Sequence, residues 1–208
     1  MILLNKFMSL PLEKQNAIVD GALISFGTNG YKKTSVSDIA AAAGISKAMV
    51  FHYFGTKKAL YLYLIELSGT TFMDEISKKL DKSVTDFFDR IRLAGDIKLA
   101  VIQQHPGMLS FFKNMLHEND SEVRQDIRNL LADLNVVKFQ ENVVFEDMDT
   151  SKFKDGVDLK LIVKMLTWMS EGYFTDITGN ADADLEAIDV FYKEFLDCLT
   201  LLKQVCYK

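Results

Sequence analysis

The sequence predicts an all-α protein with a three-helix helix-turn-helix domain at its N-terminal end and a larger helical domain after it. Two observations predict the first domain. Apolar residues recur at helical spacing on both sides of a glycine within residues 34–60, and hydroxyl residues stand where each helix would begin. The third observation concerns the rest of the chain, where apolar residues keep a helical spacing and no stretch alternates like a strand. The predicted domains are residues 1–58 and 59–208.

Residues 1–11 are expected to be a frayed arm, and Pro11 opens the first helix, where proline is tolerated. Glycines 27 and 30 are predicted to end this helix. Its apolar stripe comprises Ile18, Val19, Ala22, Leu23 and Phe26.

The next two helices form the helix-turn-helix. Ser35 is predicted to cap the first of them, and Asp38 stands in its first turn, where a carboxylate suits the helix dipole. Gly44 follows the last apolar residue, at a position where a left-handed backbone commonly ends a helix. Ser46 is the next cap, for a helix over 47–53. Small alanines between these helices would let them cross closely.

A long helix is predicted from Thr56 to about Leu80. Thr56 is its cap, which puts Lys57 and Lys58 in the first turn. Cations are unfavourable at that end of a helix unless an anion docks there. The two lysines therefore give a first indication of a phosphate partner.

The remaining elements are also predicted as helices. Asn119 or Ser121 would cap the longest of them, and residues 147–158 form the longest predicted loop. The predicted helices cover residues 83–104, 108–117, about 121–145, 158–177 and 183–205.

Residues 12–62 resemble the DNA-binding domain of the TetR/AcrR family of bacterial transcriptional regulators. The resemblance is carried by Phe26, Gly30-Tyr31, Thr34 to Ala43 with Asp38-Ile39-Ala40, Gly44-Ile45-Ser46-Lys47, Phe51-His52-Tyr53-Phe54 and Lys57 to Leu60. Phe51 departs from the tyrosine that the family often has at this position. The resemblance implies a ligand-responsive regulator, most often a repressor, that binds double-stranded operator DNA. It also implies a homodimer that pairs through its last two helices, with a small, mainly apolar effector in the C-terminal domain.

The second helix of a helix-turn-helix enters the major groove and presents its N-terminal residues to the base edges. Lys47, Ala48, Met49 and His52 are therefore the predicted base readers, and Phe51 belongs to the same predicted surface. Lys47 could donate either to a guanine edge or to a phosphate, and both alternatives stay open. The resemblance implies phosphate contacts from a second set, which comprises Thr34, Ser35, Ser46, Tyr53 and Lys57. Ser35 and Ser46 are predicted caps to which a DNA contact can be added. The alternative for each residue of both sets is a role only at the surface or as a cap.

Charge is divided unevenly along the chain. Residues 1–58 carry seven lysines against three carboxylates, a net charge of +4, so the remaining residues carry −9 of the total of −5. A basic N-terminal domain on an acidic body favours an approach to DNA through that domain.

Aromatic and methionine side chains are the candidates for an effector site, because 15 phenylalanines and 9 methionines would suit an adaptable apolar cavity. Glu171 would meet a cationic ligand or point to solvent. An ordinary helical core explains the others equally simply, and both interpretations stay open. The candidates are Phe72, Phe111, Phe112, Met115, Trp168, Met169, Glu171 and Tyr173.

The sequence carries no phosphate-loop, dinucleotide, zinc-protease or nucleophile-elbow motif, so we expect neither an enzyme nor a cofactor or metal. Cys198 and Cys206 lie too far apart on a helix to form a disulfide and are expected as free thiols. No segment has the apolar length of a membrane span, and a cytoplasmic protein is expected. The alternative function is a helical small-molecule binding protein whose helix-turn-helix no longer reads DNA.

Overall fold

The computed structural model describes residues 2–179 and 185–208, and within them the chain is helical with one isolated β-bridge between Phe153 and Tyr207. This confirms the predicted all-α class. The helices are α1 (Ile2–Met8), α2 (Leu12–Lys33), α3 (Val36–Ala42), α4 (Lys47–Phe54), α5 (Lys57–Lys79), α6 (Phe87–Gln104), α7 (Pro106–Leu116), α8 (Arg124–Asp133), α9 (Val136–Phe145), α10 (Leu159–Gly179) and α11 (Leu185–Cys206).

The chain forms two compact units. Unit 1 comprises residues 1–74 and 104–136, and unit 2 comprises residues 75–103 and 137–208. These divisions do not coincide with the predicted boundary after residue 58, which stays a prediction about functional domains.

Helix α2 is the centre of unit 1, and its two glycines let neighbouring helices approach its backbone. A Cβ at Gly21 would lie only 2.7 Å from the backbone nitrogen of Ala43, at the end of α3. A Cβ at Gly27 would lie 2.9 Å from the backbone nitrogen of Phe111 on α7. Helix α2 therefore holds the helix-turn-helix on one side and α7 on another. Asn114 of α7 adds a hydrogen bond to the Gly27 carbonyl.

Gly30 ends the regular part of α2, as predicted. Its φ of 69° and ψ of 175° lie outside the helical region and put a kink before the last turn. After the kink Tyr31 turns into the core of unit 1, where its ring lies 5.0 Å from that of Tyr61.

Unit 2 is built around a cluster of aromatic and aliphatic side chains from α6, α9, α10, α11 and the loop after α9. Phe87, Phe153 and Leu199 are among its buried members. Cys206 lies in the same cluster, Cys198 is half-buried, and both are free thiols, as expected.

Asp86 fixes the start of α6. Its carboxylate accepts hydrogen bonds from the backbone nitrogens of Phe88 and Asp89 and from the ammonium groups of Lys152 and Lys203. Burial alone would raise the pKa of Asp86, but these hydrogen bonds lower it to about 2.

Three predictions about the elements are wrong. The expected frayed arm forms α1, because Phe7 anchors it in the core with only 1% of its surface exposed. The expected long helix over 121–145 is two helices, interrupted at Asn135, whose φ of 53° is left-handed. The helix expected from residue 83 starts at Phe87, since Asp86 caps it there.

Over the part of the chain that the structure describes, no helix combines the length and the apolar character needed to cross a bilayer.

Candidate DNA-binding surface

Helices α3 and α4 are each fixed at their N-terminus by a local hydrogen bond. The Ser35 hydroxyl accepts from the Asp38 backbone nitrogen at 3.2 Å, and the Asp38 carboxylate accepts from the Ser35 backbone nitrogen at 2.9 Å. This capping box lowers the pKa of Asp38. The Ser46 hydroxyl likewise accepts from the Met49 backbone nitrogen at 3.3 Å. Between the helices Gly44 has the left-handed φ of 63° that the turn was predicted to need.

Helix α4 has one buried and one exposed face. Val50, Tyr53 and Phe54 pack inward. The four predicted readers and their neighbour Phe51 are all exposed; they are Lys47, Ala48, Met49, Phe51 and His52. Met49 and Phe51 are exposed by 37% and 42%, although apolar side chains of this size normally find cover in a soluble protein. The exposed face of α4 has the residues, the charge and the accessibility that a major-groove contact requires.

The polar groups of Thr34 and Lys57 make hydrogen bonds within the protein. The Thr34 hydroxyl, in a residue only 1% exposed, shares its one hydrogen between the carbonyls of Ser25 at 3.0 Å and Gly30 at 2.6 Å. The Lys57 ammonium donates to the carbonyls of Tyr31 at 2.8 Å and Thr34 at 3.1 Å. It also lies 4.2 Å from the centre of the Tyr31 ring. Phosphate contacts from these two residues therefore stay predictions, and their contacts within the chain tie α5 to the end of α2.

The three other members of the predicted phosphate set also have structural partners. The Ser46 and Ser35 hydroxyls are exposed as well as capping, so capping and DNA contact are compatible. The Tyr53 ring is buried between Phe7, at a centroid distance of 6.2 Å, and His52, at 5.5 Å.

Phe7 supports α4 from behind, and the sequence interpretation missed it. Its ring centroid lies 4.9 Å from that of Phe54 and 5.7 Å from that of Tyr63. The signal was present in the apolar residues Leu4, Phe7 and Met8, which have helical spacing within the supposed arm.

The predicted effector residues divide between the two units. In unit 1, Phe111 and Met115 are buried, with Phe111 packed against Phe26 and Tyr61. Phe72 and Phe112 are half-buried, with ring centroids 5.6 Å apart.

In unit 2, Met169 packs against the buried cluster and Trp168 is 56% exposed beside Lys164. The side chains of Glu171 and Tyr173 lie outside the described part of the structure. The effector set as a whole stays a prediction. Among the described residues, no group of three or more histidine, cysteine, aspartate or glutamate side chains has the geometry to hold a metal ion.

Comparisons with known proteins agree with this geometry. A model of the bacterial regulatory proteins of the tetR family matches residues 18–64, which include α3, the turn and α4. The fatty acid metabolism regulator protein of Bacillus subtilis is 23% identical over 192 residues, covering 84% of this chain and 93% of that protein. The regulator BetI of Agrobacterium fabrum is 44% identical over 52 residues, which cover 25% of each chain.

The similarity to solved structures extends through both units. The structure of the transcriptional regulator FadR from Bacillus subtilis in complex with stearoyl-CoA matches with a TM-score of 0.63 and 21% identity. The match covers 88% of this chain and 96% of that one.

Proposed function

We propose that this chain, which belongs to the TetR family of bacterial regulatory proteins, is a transcriptional repressor that a small, mainly apolar effector releases from its operator. The observation that carries the proposal is the exposed face of α4, where Lys47, Met49, Phe51 and His52 stand together on a helix fixed by local caps. For this role the protein would lie in the cytoplasm, the compartment that holds the DNA.

The operator-binding form is a homodimer that pairs through α10 and α11. Helix α10 exposes Leu161, Met165 and Trp168 by 49%, 47% and 56%, and these residues follow one another at helical spacing on one face. Helix α11 exposes Val190, Leu201 and Val205. Apolar surface of this extent supports a subunit interface, and a two-fold dimer would set two α4 helices about 34 Å apart, one turn of DNA.

The effector carries an acyl chain. FadR of Bacillus subtilis, which is similar to this chain over nearly its whole length, was solved in complex with stearoyl-CoA. An acyl compound that binds the DNA-free conformation more tightly than the DNA-bound one would lower operator affinity by that differential affinity.

The experiment measures binding of the full-length protein to the DNA upstream of its own gene, with and without stearoyl-CoA. We expect a specific complex that stearoyl-CoA dissociates. Met49→Ala should change the ranking among operator variants with single base changes, because base contacts carry the sequence information. Tight ligand binding without any specific DNA complex would instead favour the alternative, a small-molecule binding protein whose helix-turn-helix no longer reads DNA.

A further inference from the structure

Unit 2 contains a cavity of about 200 Å³ between the end of α5, the start of α6 and the end of α9. Its walls are largely apolar, with Ile76 and Leu80 on one side and Phe139 and Val143 on another. At about 30 Å³ for each water-sized group, the cavity holds roughly seven such groups. It is therefore the size of a short aliphatic segment with a polar head.

Arg90 lines this cavity and is 3% exposed. One of its terminal nitrogens donates to the Glu146 carbonyl, just past the end of α9, where the helix dipole supplies partial negative charge. Its Nε–H has no hydrogen-bond acceptor in the described part of the chain. No carboxylate there lies within ion-pair distance of it either; the ion pairs that do form in unit 2 join lysines to Asp86, Asp89 and Glu75.

A buried arginine with an unused donor is unfavourable by itself. Arginine never loses its charge in proteins, so it cannot become neutral to avoid the desolvation penalty. A buried donor left without an acceptor is unfavourable by about 1–3 kcal/mol, and more for a charged group. The bond to the Glu146 carbonyl satisfies one nitrogen only. An anion in the adjoining cavity would pair with the guanidinium charge, which has no carboxylate partner in the described part of the chain.

The other polar groups around the cavity restrict which anion fits. Ser77 and Asn142 add neutral donors beside Arg90, whereas Glu146 and Asp147 are exposed lining residues that would repel a multiply charged ligand. Lys82, also exposed, adds one further positive charge. The combination suits a single carboxylate on an apolar chain better than a phosphate group.

We propose that this cavity is a carboxylate-binding site, in which Arg90 holds the carboxylate of a short aliphatic acid or of one end of a longer one. The carboxylate pairs with the guanidinium charge of Arg90, and Ile76, Leu80, Phe139 and Val143 cover the chain. The site deepens the proposed function, because its ligand would be an effector, and only that role rests on the proposed function. Binding of the ligand is measured without DNA.

Hexanoate is the probe and hexan-1-ol its uncharged control, both added to the full-length protein. The chain has four arginines, Arg90, Arg92, Arg124 and Arg128, so the Nε–H signals in a ¹H–¹⁵N spectrum are few enough to assign by substitution. We expect hexanoate to shift the Arg90 Nε–H signal saturably and to bind about tenfold more tightly than hexan-1-ol. A charge-assisted hydrogen bond has that effect.

Arg90→Met should weaken hexanoate binding about tenfold or more. Arg92→Met is the matched control: it removes an exposed arginine two residues along the same helix and should leave the affinity within about twofold. If Arg90→Met does not fold, the affinities of the unmodified protein for hexanoate and hexan-1-ol still decide whether the cavity binds a carboxylate.

Equal affinity for the acid and the alcohol, or an Arg90 Nε–H signal that hexanoate leaves unmoved, would overturn the carboxylate site. The proposed function fails separately. Hexanoate could bind at Arg90 while neither hexanoate nor stearoyl-CoA alters operator binding. That result would support the carboxylate site and contradict its role as an effector site.

Discussion

The helix-turn-helix and the Arg90 cavity use their polar side chains in opposite ways. In the helix-turn-helix, the hydroxyls of Ser35 and Ser46 cap helices, and the Thr34 hydroxyl and the Lys57 ammonium each make two hydrogen bonds to carbonyls. In the cavity, Arg90 is buried with a donor left over. The first arrangement fixes a surface before DNA arrives. In the second, a buried guanidinium beside a cavity has no carboxylate partner in the described part of the chain. A rigid DNA-binding surface and a separate ligand site are the two parts that a ligand-responsive regulator needs.

Among the variants that test the rigidity of the helix-turn-helix, Phe7→Ala is expected to have the largest effect on stability. Removing a fully buried phenylalanine that supports Tyr53 and Phe54 should lower the free energy of unfolding by about 3–5 kcal/mol, measured by chemical denaturation. Met8→Ala removes the neighbouring side chain, which is 55% exposed, and should change it by no more than about 0.5 kcal/mol. Equal losses in the two variants would mean that α1 does not hold α4 in place.

Asp86→Asn tests whether unit 2 also contains a fully committed polar group. The folded pKa of Asp86 is about 2, below the ordinary 3.8, so its carboxylate contributes stability above pH 4 that is lost as the pH falls toward 2. The shift corresponds to about 2 kcal/mol at neutral pH. We expect the variant to lose about that much at pH 7 and to show a flatter decline in stability between pH 4 and 2.

Asp155→Asn, which alters an exposed carboxylate in the loop after α9, is the control and should retain the wild-type pH profile. If both variants follow the wild-type curve, the bonds from Lys152 and Lys203 contribute nothing measurable to unit 2.

The smallest stability effect is expected from Ser46→Ala. Loss of the cap on α4 should lower the free energy of unfolding by about 1 kcal/mol, whereas Ser37→Ala, at an exposed position within α3, should leave it nearly unchanged. If Ser46→Ala matches Ser37→Ala in denaturation and in operator affinity, the cap does not preorganise the reading surface.

The sequence predicted those features of the helix-turn-helix that depend on neighbours a few residues away. The caps at Ser35 and Ser46 bond to residues three positions later, and Gly44 shapes its own turn, so local chemistry sufficed. Phe51 and His52 were predicted outward because Val50 and Phe54 share the opposite face of the helix.

The features that the sequence did not predict depend on residues far apart in the chain. Lys57 suggested a phosphate contact because a cation in the first turn of a helix is unfavourable unless an anion docks there. That contact stays a prediction; what the sequence did not predict is that the Lys57 ammonium bonds to the carbonyls of Tyr31 and Thr34, 26 and 23 residues earlier. Phe111 was a candidate for an effector site, yet it packs against Phe26 of α2 through the close approach that Gly27 permits. Helical spacing shows on which face of its own helix a residue lies, but not which other helix packs against that face. For the same reason the spacing did not reveal that Arg90 is buried.

The salt dependence of operator binding tests the central claim most directly, because lysines that neutralise phosphates release counterions. We predict that log Kd against log salt concentration has a steep slope, and that Lys47→Ala reduces its magnitude by about 0.9. Lys138→Ala, which removes an exposed lysine from α9, should leave the slope unchanged. The same slope in Lys47→Ala as in the unmodified protein would exclude a phosphate contact from Lys47 and leave it as a base reader. A wild-type slope near zero would contradict the assignment of α4 to the DNA groove.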